Sequence, residues 1–427
     1  MARIVIATFG SLGDLHPALA LAHELRRRGH EAVIATSEPY RTKVAAQGLL
    51  FAAVRPDLSL ENPELVRRVM DGQRGSEYLL RKLVYPSIRD MHTDLMAAAA
   101  GADFLLASEL ACAVPLVAAQ LRLPWAFFAL SPISLLSIYD PTVLPGPAFL
   151  RHIQSLGPTA NRIILRVAQL VSFSWWAPVR QLRRELGLPP GGSPLFAGKY
   201  SPHLNFALFS PLLQPPQRDW PAPTHQPGFC FFDENIAPDA RSLSLPATVA
   251  SFLDAGAPPI VFTLGSAAVQ LAENFYVHSA QAAQQLGRRA ILLLGKNPPP
   301  PDLPPSILAW DYLPYAQIFP HAAVVVHQGG VGTTAQTLRA GRPMLIVPFA
   351  HDQFDNAARI VRLGVGGTLA RQRYTAANCA HALTALLGDP RIAQLATEIG
   401  RRVRSENGVN SACDTLERAL PIDPPQT

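Results

Sequence analysis

Charged residues are scarce in this chain of 427 residues. Asp, Glu, Lys and Arg make up 16% of it, against about 25% in a typical soluble protein. Apolar residues reach 48%, which excludes a disordered polar chain and predicts large cores or an apolar cleft. The net charge is only +6 and the basic runs are short, so they fit solvated helix faces. Aromatic and basic residues do not alternate as in RNA-recognition modules, so nucleic acid is not an expected partner.

Cysteine is rare as well. The 4 residues Cys112, Cys230, Cys379 and Cys413 are scattered, which excludes a disulfide scaffold and predicts small core residues. No cysteine and histidine cluster has zinc spacing, so we expect no metal. Neither a signal peptide nor an uncharged apolar run of membrane-spanning length is evident. We therefore expect a cytoplasmic protein, with at most peripheral contact to the inner face of the membrane.

One segment is unusually apolar. Residues 163–179 contain isoleucine, leucine, valine, phenylalanine and tryptophan at positions that cover most of a helix circumference. Such a pattern favours a helix buried on all sides. The alternative is a lip that contacts lipid or a hydrophobic substrate.

Strand and helix patterns alternate in two successive series. Apolar runs typical of strands buried on both faces occur at 4–7, 32–35, 104–107, 125–129, 260–263, 290–294, 324–326 and 344–347. A helix is predicted to begin near Pro17, in the favoured first turn. The alternation predicts an α/β protein with two doubly wound, Rossmann-like domains that face a cleft.

Proline clusters mark the boundaries between these domains. We place the first domain at residues 1–210, a proline-rich linker at 211–245 and the second domain at 246–405. Residues 406–427 form a C-terminal helix that is expected to cross back to the first domain. Ligands of open α/β sheets bind beyond the carboxyl ends of the strands, so residues that follow strands are the candidates for chemistry.

The loop after the first strand carries Gly13, Asp14 and His16. It is not a G-x-G-x-x-G motif, and the second strand lacks the terminal acid of a nicotinamide site, so a dehydrogenase is disfavoured. Asp14 stands where a carboxylate can act as a general base. The alternative is that it only caps the first helix. His16 is interpreted as a packing or acceptor-contact residue.

A glycine-rich segment, residues 327–334, follows a strand of the second domain and opens a helix. Glycines allow close backbone approach, and a helix N-terminus supplies free N–H groups that suit a diphosphate. The segment is not a Walker loop, because no Gly-Lys-Ser/Thr follows. Its candidate ligand-binding residues are His327, Gly329, Gly330, Gly332, Thr333 and Thr334.

Three further groups complete the candidate site. Asp352 and Gln353 follow a strand, and a carboxylate beside an amide can bind vicinal sugar hydroxyls. Ser266 follows the first strand of the second domain and could contact the same diphosphate. A nucleobase could be held by stacking and edge hydrogen bonds at Trp310, Tyr312 and Leu313.

The order of these motifs resembles the family 1 glycosyltransferases of the GT-B fold, over essentially the whole sequence. The most specific part is 310–356, which is similar to the family's nucleotide-sugar box. The similar branch includes sterol glucosyltransferases, glycopeptide-antibiotic glycosyltransferases and a rhamnosyltransferase of rhamnolipid synthesis. Similarity to the last is strongest, at residues 219–221, 228–229, 232–233 and 351–356.

The resemblance implies a role for each matched residue. Trp310, Tyr312 and Leu313 would face the base; Ser266, His327, Gly332 and Thr333 the diphosphate; Asp352 and Gln353 the donor sugar. Further donor-binding candidates are Gly13, Gly329, Gly330 and Thr334. Asp14 takes the place of the catalytic histidine of plant members. Glu109 lies near the place of their partner acid, and its role stays open. Ala335 replaces their ribose-binding glutamate, which leaves UDP and dTDP both open.

The implied function is an inverting, metal-independent transfer of a hexose from a UDP-sugar, with UDP-glucose the first choice, or from a dTDP-sugar. The acceptor would be a hydrophobic hydroxyl compound: a phenol or flavonoid, a sterol or a hydroxy-lipid. Its lining would include Phe127, Phe128, Ser131, the loop 134–147 and the helix 163–177. Alternatives are a dTDP-rhamnose-dependent transferase acting on a lipid, a sugar epimerase of the same fold and a non-catalytic nucleotide-sugar-binding helper. No cofactor beyond the nucleotide sugar is implied.

Overall fold

Two parallel β-sheets organise the chain, and helices cover both faces of each. The computed structural model describes residues 1–58, 62–145, 153–233 and 245–420. The first sheet has the strand order β3-β2-β1-β4-β5-β6-β7, and the second has the order β10-β9-β8-β11-β12-β13. The predicted pair of doubly wound α/β domains is confirmed.

The first domain contains β1 Arg3–Ala7, β2 Glu31–Thr36, β3 Leu50–Ala53, β4 Phe104–Ala107, β5 Trp125–Ala129, β6 Leu204–Ala207 and β7 Thr224–His225. Its helices are α1 Leu12–Arg27, α2 Arg41–Ala46, α3 Pro63–Val69, α4 Gly75–Tyr78, α5 Ile88–Ala98, α6 Val114–Leu121, α7 Pro158–Val171 and α8 Ala177–Glu185.

The second domain contains β8 Ile260–Thr263, β9 Ala290–Leu293, β10 Ile307–Trp310, β11 Val324–His327, β12 Met344–Ile346 and β13 Gly366–Thr368. Its helices are α9 Ala247–Asp254, α10 Gly265–Ala268, α11 Phe275–Gln285, α12 Tyr315–Ile318, α13 Val331–Ala340, α14 Gln353–Leu363, α15 Ala376–Gly388 and α16 Pro390–Ser405, followed by α17 Gly408–Ala419.

The strand order creates one crevice in each domain. In the first sheet the order reverses between β1 and β4, and in the second between β8 and β11. The connections on either side of such a point lead to opposite faces of the sheet, which opens space for a ligand at the carboxyl ends. The loops after β1, β4, β8 and β11 are therefore the loops that build the site.

Helix α1 begins at Leu12, so its predicted start at Pro17 is wrong. The Ser11 hydroxyl accepts a hydrogen bond from the Gly13 amide at 3.2 Å, and the Asp14 carboxylate accepts one from the Ser11 amide at 2.7 Å. This reciprocal capping box starts the helix earlier than proline alone would. Asp14 and His16 thereby lie on the first turns of a helix.

The first domain extends beyond its predicted end at residue 210. Strand β7, Thr224–His225, lies inside the predicted linker and pairs with β6 at the edge of the first sheet. Two residues are too few to give a strand pattern in the sequence. Residues 234–244 of the predicted linker lie outside the described part of the chain.

The C-terminal helix α17 packs on the first domain. The Arg28 guanidinium at the end of α1 contacts Asp414 at 2.6 Å and Glu417 at 2.7 Å, while Cys413 is buried between the two helices. A helix from the end of the chain therefore covers α1. All four cysteines are buried and free.

Helix α7 is not buried on all sides, so the favoured prediction for this segment is wrong. Its exposed apolar side chains include Ile163 at 58%, Leu170 at 75% and Val171 at 65% exposure. A helix that is apolar all round satisfies both interpretations in the sequence, and only packing decides which faces are covered. No helix in the described part of the chain has the length and apolarity needed to cross a membrane.

Candidate active site

A cleft of about 1270 Å³ lies between the carboxyl ends of the two sheets. The loops after β1, β4, β8 and β11 line it, together with α7 and the start of α14. The first turns of α1 and α13 approach each other across it, since a Cβ atom on Gly332 would lie 3.7 Å from the Gly13 Cα atom. Motifs more than 300 residues apart in the sequence thus meet in one site.

Asp14 lines the cleft as well as capping α1. One carboxylate oxygen accepts hydrogen bonds from the Ser11 amide at 2.7 Å and the Ser11 hydroxyl at 3.2 Å. Burial raises the pKa of Asp14 to about 6, and the nearby negative charge of Glu109 adds to this rise. A carboxylate with this pKa is ionised at neutral pH and is a stronger base than a solvated one. The capping and general-base interpretations are therefore compatible.

Glu109 is a fixed negative charge beside Asp14. It forms an ion pair with the buried Lys199 ammonium and accepts a hydrogen bond from the Ser134 hydroxyl at 2.6 Å. Burial works against its charge, but Lys199 and Ser134 hold the pKa of Glu109 below its usual value. Glu109 therefore cannot take up a proton at neutral pH.

The first-domain side of the cleft, where the acceptor is predicted to bind, is mostly apolar. Phe128 and Ser131 line it, whereas Phe127 points to the opposite face of β5 and packs edge-on against Tyr200 at 5.4 Å. Neighbouring strand residues alternate between faces, so the predicted acceptor contact at Phe127 is corrected. His16 also lines the cleft, 5.2 Å from the Phe232 ring, and burial lowers its pKa to about 4. The His16 imidazole is therefore neutral.

His327 lies behind the glycine-rich loop and does not line the cleft. Its Nδ1 atom accepts a hydrogen bond from the Gly329 amide at 3.0 Å, and its Nε2 atom lies 3.4 Å from the Met344 sulfur. Burial lowers the pKa of His327 to about 3. The ring therefore lies behind the loop and shapes its turn. Its contact with a diphosphate stays a prediction.

The rest of the loop divides between the cleft and the core. Gly330, Gly332 and Thr333 line the cleft at the N-terminus of α13. Thr334 is fully buried. A Cβ atom at Gly329, whose φ is +92°, would lie 2.6 Å from the Ile346 side chain. Gly329 therefore permits the turn that brings Gly330 and Gly332 to the cleft.

The predicted base-binding residues behave differently from one another. Tyr312 is 53% exposed and lines the cleft. Leu313 is buried in the hydrophobic cluster behind it, and Trp310, partly buried, packs against that cluster. Their contacts with the base stay a prediction. Ser266 lines the cleft after β8. The exposed ring of Tyr312 is therefore available to a planar ligand at this end.

Asp352 and Gln353 follow β12 and line the cleft, and Asp352 lies near enough to Asp14 to feel its charge. The Asp352 carboxylate accepts a hydrogen bond from the Asn356 amide at 2.7 Å. Burial raises the pKa of Asp352 to about 7, and the charge of Asp14 contributes to the rise. The side-chain oxygen Oε1 of Gln353 accepts hydrogen bonds from the backbone amides of Phe349 and Ala350 at 2.8 and 3.1 Å. A carboxylate and an amide NH₂ group are thus available to hydroxyl groups.

Comparison with known proteins decides the family. Residues 4–132 match the glycosyltransferase family 28 N-terminal domain, and residues 291–413 match the C-terminal domain of erythromycin biosynthesis protein CIII-like proteins. The chain is 33% identical over 428 residues to O-mycaminosyltylonolide 6-deoxyallosyltransferase of Streptomyces fradiae, covering 97% of each. The chain belongs to the family 1 glycosyltransferases of the GT-B fold.

Other relatives of this glycosyltransferase agree. It is 28% identical to the sterol 3-beta-glucosyltransferase of Cryptococcus neoformans over 98% of its own length, but spans only 27% of that longer protein. The glycosyltransferase of kitacinnamycin shares the fold with a TM-score of 0.73 and 22% identity, over 99% of this chain and 100% of that one. The spinosyn rhamnosyltransferase SpnG in complex with thymidine diphosphate shares the fold with a TM-score of 0.67 and 20% identity, over 97% of this chain and 100% of that one. The enzyme is thus a nucleotide-sugar-dependent transferase.

Sequence reasoning missed Gln328 of this glycosyltransferase. Its side chain lines the cleft, and its Oε1 atom has no hydrogen-bond partner among the described residues. Cβ atoms on Gly265 and Gly330 would lie 2.3 and 2.9 Å from its amide nitrogen. Two separate glycines thus make room for one glutamine. Only the three-dimensional proximity of the two loops reveals this.

An ion network joins the predicted acceptor loop to the second domain of the glycosyltransferase. Asp140 contacts the Arg359 guanidinium at 2.5 Å and the Arg362 guanidinium at 2.9 Å. Asp355 bonds Arg359 at 2.7 Å and accepts from the Val143 amide at 2.9 Å. The described part of the predicted acceptor loop is therefore fixed to α14, the helix that begins with Gln353. Residues 146 and 147 of that loop lie outside the described part.

Proposed function

We propose that this glycosyltransferase moves a hexose, with inversion and without a metal ion, from a UDP- or dTDP-sugar to a hydroxyl group of a hydrophobic acceptor. The observation that carries the proposal is the placement of Asp14. It lies at the junction of an apolar acceptor cavity and the donor loop, with burial raising its pKa to about 6. A general base is needed at this junction and nowhere else in the cleft.

The reaction follows from the positions of the two helix ends. Asp14 accepts the proton of the acceptor hydroxyl as its oxygen bonds to the anomeric carbon, and the bond from that carbon to the diphosphate breaks. Attack from the first domain, opposite the leaving group, inverts the configuration. The N–H groups at the start of α13, with Thr333 and Ser266, would hold the departing negative charge. Fixed dipoles of this kind supply the stabilisation that a metal ion would otherwise give.

The acceptor assignment rests on the first-domain wall of the cleft. Phe128, Leu130 and Ile164 present apolar surface there, whereas Ser131 and Ser134 supply a few hydroxyl groups. Such a wall fits a large, largely apolar alcohol or phenol. The names of the relatives, a transferase acting on O-mycaminosyltylonolide and a sterol glucosyltransferase, support this class. They also support a 6-deoxyhexose and glucose, respectively, as candidate sugars.

Donor preference is open to a direct thermal test. We expect UDP or dTDP, and the matching sugar derivative, to raise the Tm of the purified protein, and NADH to leave it unchanged. A ligand at about 100 times its Kd stabilises the folded state by roughly 2.7 kcal/mol. The panel comprises UDP, dTDP, UDP-glucose, dTDP-rhamnose and NADH, each with and without EDTA. Absence of any nucleotide-dependent shift would contradict the donor site, and a shift abolished by EDTA would contradict metal independence.

The pH dependence of the reaction should report Asp14. The value of kcat/KM for the acceptor, measured at saturating donor, is expected to fall about tenfold per pH unit below about 6 and to be flat above it. The sign follows because only the ionised carboxylate can accept a proton. At saturating donor, Asp352 is bound to the donor sugar, so the titration of Asp352 does not contribute to this pH profile. A profile that is flat from pH 5 to 8, with activity restored after a return to pH 8, would contradict the assignment.

A further inference from the structure

Helix α7 has two apolar faces. Ile164, Leu165 and Ala168 line the acceptor cavity. On the other side, Ile163, Val167 and Leu170 follow the i, i+4, i+7 spacing of one helix stripe and are 58%, 52% and 75% exposed. Val171, which is 65% exposed, lies at the border between the two faces and also lines the cavity. Phe173, just after the helix, is 54% exposed. The wall of the cavity is therefore also an apolar outer surface.

Within the segment that contains α7, the charged residues are all cationic. Residues 153–184 contain five arginines and no aspartate or glutamate. Arg162 and Arg166 are exposed and stand one turn apart, next to the apolar stripe. No carboxylate of the described residues lies within ion-pair distance of either guanidinium. Arg180 lies over the Phe173 ring at 3.8 Å, which adds a third cation beside the exposed ring.

We propose that the outer face of α7 docks this enzyme on an anionic lipid bilayer. An apolar stripe flanked by cations is the pattern of helices that lie in a membrane interface, where apolar side chains enter the acyl region and arginines meet lipid phosphates. A protein partner of this helix would need an apolar groove and acidic rim. A bilayer supplies both chemistries without a specific shape. Because α7 also lines the cavity, docking places the cavity beside the lipid, a consequence that rests on the proposed hydrophobic acceptor.

The proposal is tested by co-sedimentation with vesicles. We expect the protein to bind vesicles of phosphatidylglycerol and phosphatidylcholine, to bind phosphatidylcholine alone much more weakly, and to be released by salt. The double variant Arg162→Gln/Arg166→Gln should lose about fivefold in affinity per arginine. The double variant Val167→Ser/Leu170→Ser should also lose binding. Matched controls are Leu395→Ser, at a position 40% exposed, and Arg401→Gln, both on α16, which should bind as the unaltered protein does.

Three outcomes would overturn the proposal. They are no binding to anionic vesicles, binding that the α7 variants do not reduce, and a dimer in solution that the α7 variants dissociate. The last would show that a second copy covers the face. The Tm shift with nucleotide, measured on each variant, shows that folding and the donor site are intact. Loss of vesicle binding with the nucleotide shift retained therefore separates this proposal from the proposed function.

Discussion

Asp14→Asn is expected to lower kcat by about 10²- to 10⁴-fold, the contribution of a positioned general base, while the Kd for UDP or dTDP stays within about twofold. The reason is that the amide cannot accept the hydroxyl proton. Its carbonyl oxygen can still accept the hydrogen bond that the Ser11 amide donates to Asp14 at 2.7 Å. The substitution therefore removes the base and keeps the helix cap. The measurement is kcat by product formation, with nucleotide Kd by calorimetry.

The stability of the Asp14→Asn variant distinguishes a general base at Asp14 from a residue that only caps α1. Burial raises the pKa of Asp14 from 3.8 to about 6, so the folded state binds the proton more tightly than the unfolded state does. That stabilisation is present below pH 3.8 and is lost as pH rises through 6. At pH 8 the ionised carboxylate is therefore unfavourable to folding, and the Asn variant should be no less stable than the unaltered protein.

The matched control is Asp389→Asn. Asp389 caps α16 through a hydrogen bond from the Arg391 amide at 3.0 Å and lies away from the cleft. It should change neither kcat nor nucleotide Kd. If Asp14→Asn kept kcat and lowered Tm at pH 8, as loss of a cap alone would, Asp14 would be structural and the mechanism would need another base.

Most of the predicted residues line the cleft because the loops after strands build it in this architecture. Asp14, Ser266 and Asp352 could be placed there because each lies in the segment that follows a run whose pattern marks a buried strand. The neighbouring sequence does not determine which side chains of a strand or loop face the cleft. His327 and Phe127 turn away because their neighbours take the cleft-facing positions.

Packing between distant segments limited the prediction further. Leu313 is buried in the second domain's core and Trp310 packs against it, whereas Tyr312 lies on the surface of the cleft. Gln328 reaches the cleft because Gly265 and Gly330 make space for its side chain, and this proximity has no signal in the sequence. The all-round apolar pattern of residues 163–179 was equally consistent with burial and exposure, because the number of partners of a helix is a property of the whole fold.

Asp352→Asn is expected to lower the affinity for the nucleotide sugar by about 10- to 100-fold and to leave the affinity for free UDP or dTDP unchanged. A hydrogen bond to a charged group contributes about 1.5–3 kcal/mol, and the free nucleotide has no sugar to receive it. The variant carbonyl can still accept the hydrogen bond from Asn356 that holds the side chain at 2.7 Å. The comparison of the two ligands by calorimetry therefore isolates the sugar contact.

The same residue should give donor affinity a pH dependence of known sign. Burial and the charge of Asp14 raise the pKa of Asp352 to about 7, and sugar hydroxyls donate to its ionised form. Affinity for the nucleotide sugar should rise between pH 6 and 8, with proton release on binding below the pKa, and this rise should vanish in Asp352→Asn. The control Asp311→Asn removes a charge from the predicted nucleotide end of the same cleft. It should change the affinity for the nucleotide and for the nucleotide sugar by the same factor. Equal weakening of nucleotide and nucleotide sugar by Asp352→Asn would instead place Asp352 at the diphosphate, and the direction of the donor in the cleft would have to be reversed.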